Sequence, residues 1–178
     1  NRYVSIYGNA AYTYDTRYSA TLSMRWDRSN LWGTSNKYQN KPIWSVGLSW
    51  NASNEKFMQD VKWIDMLKVR TTYGIAGNVN PTYSPYMVTS ANTNYNIGEP
   101  YQYVSTRPNS DLSWEKTTTT NIGVDFSLLH NRLRGSLDYY NKYGERLLAT
   151  TQGVPTEGYG YSSYAINNGE MRNRGLEL

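Results

Sequence analysis

Between Tyr18 and Asp27 the chain alternates without a break. Tyr18, Ala20, Leu22, Met24 and Trp26 fall on even positions, and Ser19, Thr21, Ser23, Arg25 and Asp27 on odd ones. A period of two is the signature of an extended strand whose successive side chains point to opposite faces. The pattern recurs. Val4, Ile6, Ala10, Tyr12 and Tyr14 oppose Ser5, Tyr7, Asn9, Thr13 and Asp15, and Trp44, Val46, Leu48 and Trp50 oppose Ser45, Gly47, Ser49 and Asn51. Leu67–Ile75, Asn121–Leu128 and Leu133–Tyr139 read the same way, and weaker alternation marks Tyr161–Asn167 and Met171–Leu178. About eight strands are predicted, with one short helical candidate at Asn54–Val61.

The links carry a second pattern. Asp15-Thr16-Arg17 and His130-Asn131-Arg132 read as tight turns, and Trp50 to Leu67 as a moderate link. Arg28–Ile43, Gly77–Ser113 and Ala149–Tyr161 are longer and rich in Asn, Thr, Gly, Pro and Tyr. Short and long links alternate, so an up-and-down meander of these strands is trimmed at one end and elaborated at the other. Transmembrane β-barrels show this asymmetry, with short periplasmic turns, long extracellular loops and aromatic girdles at both interfaces. Tyr18 and Trp26 stand eight residues apart, about 26 Å along a strand, which suits an apolar band about 25 Å tall. The apolar face then meets lipid and the polar face a wet lumen. A soluble antiparallel sheet alternates too, but strands of about ten to twelve residues exceed the usual five or six, and the rings sit at strand ends.

Composition sharpens this picture. Eighteen Tyr and six Trp against two Phe favour rings with a polar handle, suited to a surface apolar at one end and wet at the other. Mean hydropathy is −0.73, and no apolar run approaches the roughly 20 residues of a spanning helix. With no cysteine, disulfide scaffolds and thiolate metal sites are excluded. The net charge of +4 comes from 18 basic residues interspersed with 14 acidic ones, not from the basic stripe of a nucleic-acid binder. The single histidine, His130, lies in a turn. Neither a nucleophile elbow, a zinc-protease helix motif nor a P-loop is present, so no catalytic, cofactor or metal residue is nominated.

Five motifs in order carry a resemblance. Arg17-Tyr18 precedes Arg25-Trp26-Asp27-Arg28-Ser29-Asn30, Trp32-Gly33 and Asn36-Lys37. Pro42 to Trp50 follows as P-I-W-S-V-G-L-S-W, then Leu67 to Asn78 as L-K-V-R-T-T-Y-G-I-A-G-N. Trp114-Glu115-Lys116-Thr117 leads through Asn121, Gly123 and Asp125-Phe126 into Asn131–Tyr140, and Asn168–Leu178 closes the set. Over nearly its whole length the chain resembles the SusC/RagA family of TonB-dependent outer-membrane transporters of Bacteroidota. Arg28 and Asn30 depart from the Gly and Ser usual there, which predicts a differently shaped turn after Asp27.

The resemblance implies an all-β, antiparallel, up-and-down transmembrane barrel segment, about eight strands of a roughly 22-stranded barrel. Residues 1–178 are expected to be a partial barrel domain, with plug, TonB box and C-terminal strands absent. It implies uptake of oligosaccharides or peptides with a SusD-like lipoprotein lid, driven by the TonB complex, in the outer-membrane lipid of a Gram-negative cell. By parity Arg25, Asp27, Arg70, Asp125, Arg134 and Asp138 are lumen-facing candidates. Trp32, Tyr38, Tyr83, Tyr86, Tyr95, Tyr101, Tyr103, Tyr159 and Tyr161 are aromatic candidates on the extracellular loops. A complete small eight-stranded barrel (an adhesin or structural protein) and a soluble carbohydrate-binding β domain remain as alternatives.

Overall fold

The computed structural model describes residues 3–29, 40–78, 80, 82–159 and 163–178. These residues form β1 (Tyr3–Tyr14), β2 (Tyr18–Ser29), β3 (Asn40–Asn51), β4 (Ile64–Asn78), β5 (Val88–Thr93), β6 (Pro100–Thr106), β7 (Glu115–Leu128), β8 (Leu133–Gln152) and β9 (Ser163–Glu177). Seven make one antiparallel sheet in the order β1-β2-β3-β4-β7-β8-β9, and β5 and β6 pair as a separate hairpin. The sheet is an open up-and-down wall with β1 and β9 at its edges, not the closed eight-stranded barrel of the first alternative.

Register keeps the apolar positions on one face. Tyr14 pairs with Tyr18, Tyr18 with Trp50, Trp50 with Val69, Val69 with Val124 and Val124 with Leu137. One slipped residue would turn a strand's apolar set to the opposite face. The tight turns expected at Asp15–Arg17 and His130–Arg132 are present, with left-handed backbone at Asp15, Thr16, Leu129, His130 and Asn131.

Four expectations need correction. The two final segments are a single strand, β9, of 15 residues. The helix expected at Asn54–Val61 is two 3-10 turns, Ala52–Asn54 and Lys56–Met58, split by an extended Glu55 (φ −78°, ψ 149°). The backbone N–H of Glu55 closes the first turn on the Ala52 carbonyl, but its side chain caps neither turn, because the carboxylate is drawn to the rings of the neighbouring strands. The link Gly77–Ser113 holds the hairpin β5–β6, whose polar sequences VTSANT and PYQYVST gave no apolar alternation. Arg28 does not end its strand, since β2 runs on to Ser29, and Asn30 lies outside the described residues.

The wall is apolar outward. Val4, Ile6, Leu22, Met24, Val46 and Leu48 are exposed, as a lipid-facing band requires. The buried hydrophobics among the described residues are Ala52, Leu112, Trp114 and Ala165. The last three pack with Tyr83 and Leu148 at the long-link end. β8 has 20 residues, about twice the 9–11 that span a bilayer. Its first residues, Leu133 to Tyr139, keep the strict alternation, and its later part packs through Leu148 against this small core.

Candidate functional site

At the short-link end, the aromatic row Tyr14–Tyr18–Trp50 lies along three strands. Glu55 gathers it. The Tyr18 hydroxyl donates to Glu55 Oε1 at 2.5 Å, the Trp50 indole at 3.1 Å, and Arg17 Nη1 donates to Oε2 at 3.4 Å. These donors, Tyr18 foremost, hold the Glu55 carboxyl below its ordinary pKa. Asn54 Nδ2 donates to the Thr16 carbonyl at 3.1 Å, pinning the β3–β4 link to the β1–β2 turn. At the other end of the span the Trp44 and Tyr73 rings meet at 5.6 Å.

On the opposite face, the lumen candidates fall into two groups. Arg70 Nε lies 3.1 Å from Asp125 Oδ2, and its Nη2 2.7 Å from Asp138 Oδ2. Arg70 is on β4 and Asp138 on β8, with β7 between them. Gly123, the register partner of both, makes the crossing possible, because a Cβ there would stand 2.9 Å from Arg70 Cζ. Beside this cluster Arg70, Asn121, Asp138, Tyr140, Lys142 and Glu177 line a polar hollow of about 250 Å³. Nearer the long links, Asp27 is 2% exposed and accepts from Ser5 Oγ at 2.7 Å and Arg25 Nε at 2.8 Å. Ser23, Arg25, Ile43, Ser45, Gly74 and Thr119 border a second lumen hollow of about 480 Å³. Arg134 joins neither group. It stands exposed opposite Ser127, and among the described residues it has no ion pair.

The long-link end is stitched by residues that the sequence did not nominate. Arg107 stacks between Tyr159 and Tyr164, 4.8 and 4.5 Å from the ring centroids, and pairs with Glu157. Asn167 accepts from the Ser113 amide at 2.8 Å and donates to the Ser113 and Arg146 carbonyls at 2.8 and 2.7 Å. Asn109 Nδ2 donates to the Ala165 carbonyl at 2.7 Å. Asparagine in a loop signals a turn, and nothing local showed that these side chains bridge distant segments.

The tyrosine candidates divide accordingly. Tyr83 packs on the small core and Tyr159 on Arg107. Tyr86, Tyr95, Tyr101 and Tyr103 are exposed on or beside the hairpin, Tyr95 by 95% at its tip. Tyr101 and Tyr103 hold their rings 6.2 Å apart on one face of β6. Trp32, Tyr38 and Tyr161 lie outside the described residues. Among the described residues no group of three or more His, Asp or Glu is placed to hold a metal ion.

Comparison with known proteins decides what this wall belongs to. Residues 1–178 match the family model described as TonB dependent receptor-like, beta-barrel. The chain belongs to this TonB-dependent receptor β-barrel family.

It is 35% identical to TonB-dependent receptor SusC of Bacteroides thetaiotaomicron over 186 residues, covering all of this chain and 18% of that protein. TonB-dependent receptor P39 of Formosa agariphila is 34% identical, with 98% of this chain and 16% of that one covered. Among solved structures, the RagAB peptide importer in its closed-closed state superimposes with a TM-score of 0.84 at 28% identity, covering 98% of this chain and 19% of that one. In its open-open state the TM-score is 0.80 at 26% identity. The chain therefore spans about a fifth or less of the length of these relatives. The TonB-dependent receptor family sits in the outer membrane.

Proposed function

We propose that this chain is a stretch of barrel wall in a TonB-dependent outer-membrane importer of oligosaccharides or peptides. On this reading residues 1–178 are part of the barrel domain, and the plug, the TonB box and the remaining strands belong to the rest of the parent polypeptide. The observation that carries it is the open seven-stranded wall, apolar outward and polar inward, matching receptors and a peptide importer along its full length.

Arg25, Asp27, Arg70, Asp125, Arg134 and Asp138 line the lumen in this reading. The paired ones keep the wall hydrated without leaving a bare charge to trap a passing solute, since each pair satisfies its partner at close range. The hollow beside Arg70 offers the Asn121 amide, the Tyr140 hydroxyl and the charges of Lys142 and Glu177, a chemistry suited to sugars and peptide backbones alike. At the outer end, the exposed Tyr86, Tyr95, Tyr101 and Tyr103 present rings that stack on sugar faces or bury under a SusD-like surface lipoprotein. The work is conveyance and not bond-making, with force supplied by the TonB complex through other parts of the parent.

The test is uptake. Cells lacking the parent polypeptide should lose growth on one class of oligosaccharide or peptide. Restoring it should rescue growth only when TonB is functional, and a surface lipoprotein should co-purify with it. Uptake that persists unchanged without TonB overturns the proposal.

A further inference from the structure

The polar hollow beside Arg70 is shaped by two glycines. Tyr140 stands in register between Asn121 and Gly175. With no side chain at Gly175, the Tyr140 ring lies down over β9, where a Cβ would stand 2.6 Å from its Cζ. One row away, Gly123 lets Arg70 pass across β7 to Asp138. The space between is left open, about 250 Å³ in all. The Asn121 side chain that lines it has its Oδ1 buried with no hydrogen-bond partner among the described residues. An acceptor left so is costly.

The two ends of the hollow carry opposite charges. Lys142 stands at the end toward the long links, its Nζ 5.2 Å from the Tyr140 ring centroid. Glu177 stands at the other end, directly opposite Asp138 in the register. Among the described residues neither Lys142 nor Glu177 has an ion pair. Asp138 is neutralised by Arg70 at 2.7 Å, so Glu177 faces a carboxylate whose cation is already engaged. Like charges placed opposite each other repel, and a cation brought from outside relieves them. Lys142 lies four residues beyond Asp138 on β8, about 13 Å along the strand. Three extended residues of a peptide span about 10 Å, and the reach of the two side chains closes the rest.

We infer that this hollow is a subsite for a short zwitterionic peptide, its ammonium held between Glu177 and Asp138, its carboxylate on Lys142 and its main chain against the Asn121 amide. A neutral oligosaccharide would cover Lys142 and Glu177 and leave both charges without a partner, which is costly. An acidic sugar would satisfy Lys142 and be repelled by Glu177. The bound peptide points its amino end toward the short links. This inference rests on the importer reading and names peptide as the cargo that this part of the lumen is built to hold.

The experiment is equilibrium dialysis of labelled tri-alanine against the purified full-length parent protein in detergent, with TonB absent. Acetylating the amino end or amidating the carboxyl end of the probe removes one charge. Each change should weaken binding to the wild type about tenfold, the loss of one charge-assisted hydrogen bond. Glu177→Gln should bind tri-alanine and its acetylated form alike while still rejecting the amide. Lys142→Met should do the reverse. A general loss of structure does not exchange one preference for the other, and neither substitution breaks an ion pair of the wall. Maltotriose should not displace the peptide. No binding of tri-alanine by the wild type, a preference that survives the substitution meant to remove it, or displacement by maltotriose overturns the inference. Because TonB takes no part in this assay, such a failure leaves the importer reading standing, and uptake that persists without TonB would sink that reading without altering these affinities.

Discussion

Three positions on one strand test whether lipid or a protein core covers the apolar face. Tyr18, Leu22 and Trp26 share that face of β2 and are similarly exposed in the sheet, at 48%, 50% and 40%. If a protein core covered them, cost would follow side-chain size, and replacing Trp26 would be the most damaging. A bilayer predicts a depth profile instead. Leu22 lies four residues from each ring, about 13 Å along the strand, and so near the midplane. An arginine costs about 2–4 kcal/mol at that depth and about 0–1 kcal/mol near the interfaces. Tyr18→Arg should be cheaper still, since the new guanidinium meets the Glu55 carboxylate that Tyr18 now engages. The series Tyr18→Arg, Leu22→Arg and Trp26→Arg, made in the full-length parent and unfolded by urea in phosphatidylcholine vesicles with tryptophan emission as the signal, should peak sharply at Leu22. A flat series, or one in which Trp26→Arg is the worst, would refute the lipid-facing assignment.

Other consequences are more local. Gly123→Ala should destabilise the wall by about 1–3 kcal/mol as an overpacked site, more than Asp138→Asn, which removes one partly exposed cross-strand pair worth about 0.2–1 kcal/mol; the same unfolding assay ranks the two. Glu55 has a depressed pKa in the folded state, so its contribution is present above the ordinary carboxylate pKa and is lost as pH falls through the folded value. Wild type and Glu55→Gln should thus differ most at neutral pH and converge in acid, as thermal unfolding across pH would show; a gap that widens in acid contradicts the assignment. Asn167→Ala removes three hydrogen bonds, each worth about 0.5–1.5 kcal/mol net, and should release amide protection over Asn109–Trp114 in hydrogen exchange while leaving β2 and β3 protected.

The sequence showed what lipid imposes and little else. Where a strand separates bilayer from lumen, each side chain must choose a side, and Tyr18–Asp27, Asn121–Leu128 or Leu133–Tyr139 displays that choice as alternation. Above the bilayer both faces of the wall meet water and the constraint lapses. For that reason the reading of β8 stopped at Tyr139 although the strand continues to Gln152, and β5 and β6 went unseen. Parity placed Arg70, Asp125 and Asp138 on one face, but only the geometry shows that Arg70 crosses a whole strand over Gly123. The Arg107 joint was hidden more deeply still, because its partners Glu157, Tyr159 and Tyr164 come from a segment about 50 residues away with no shared pattern.

The placement of the buried residues fits a division of labour along the strands. If lipid covers the apolar face as proposed, the wall has little packing of its own inside the bilayer and is kept by register and backbone pairing. Beyond the bilayer that solvent is gone, and the rising halves of β7, β8 and β9 need a core, which Leu112, Trp114 and Ala165 supply. Arg107, Asn109 and Asn167 tie the segment leading from β6 into β7 to the same strands. The hairpin β5–β6 extends from that tied segment with its tyrosines exposed. A two-stranded hairpin alone is marginally stable, so the anchored base is what presents Tyr101 and Tyr103 in a fixed place. Load on the hairpin, from a bound solute or a covering partner, is therefore borne first by the Asn167 and Arg107 contacts and only then by the membrane wall.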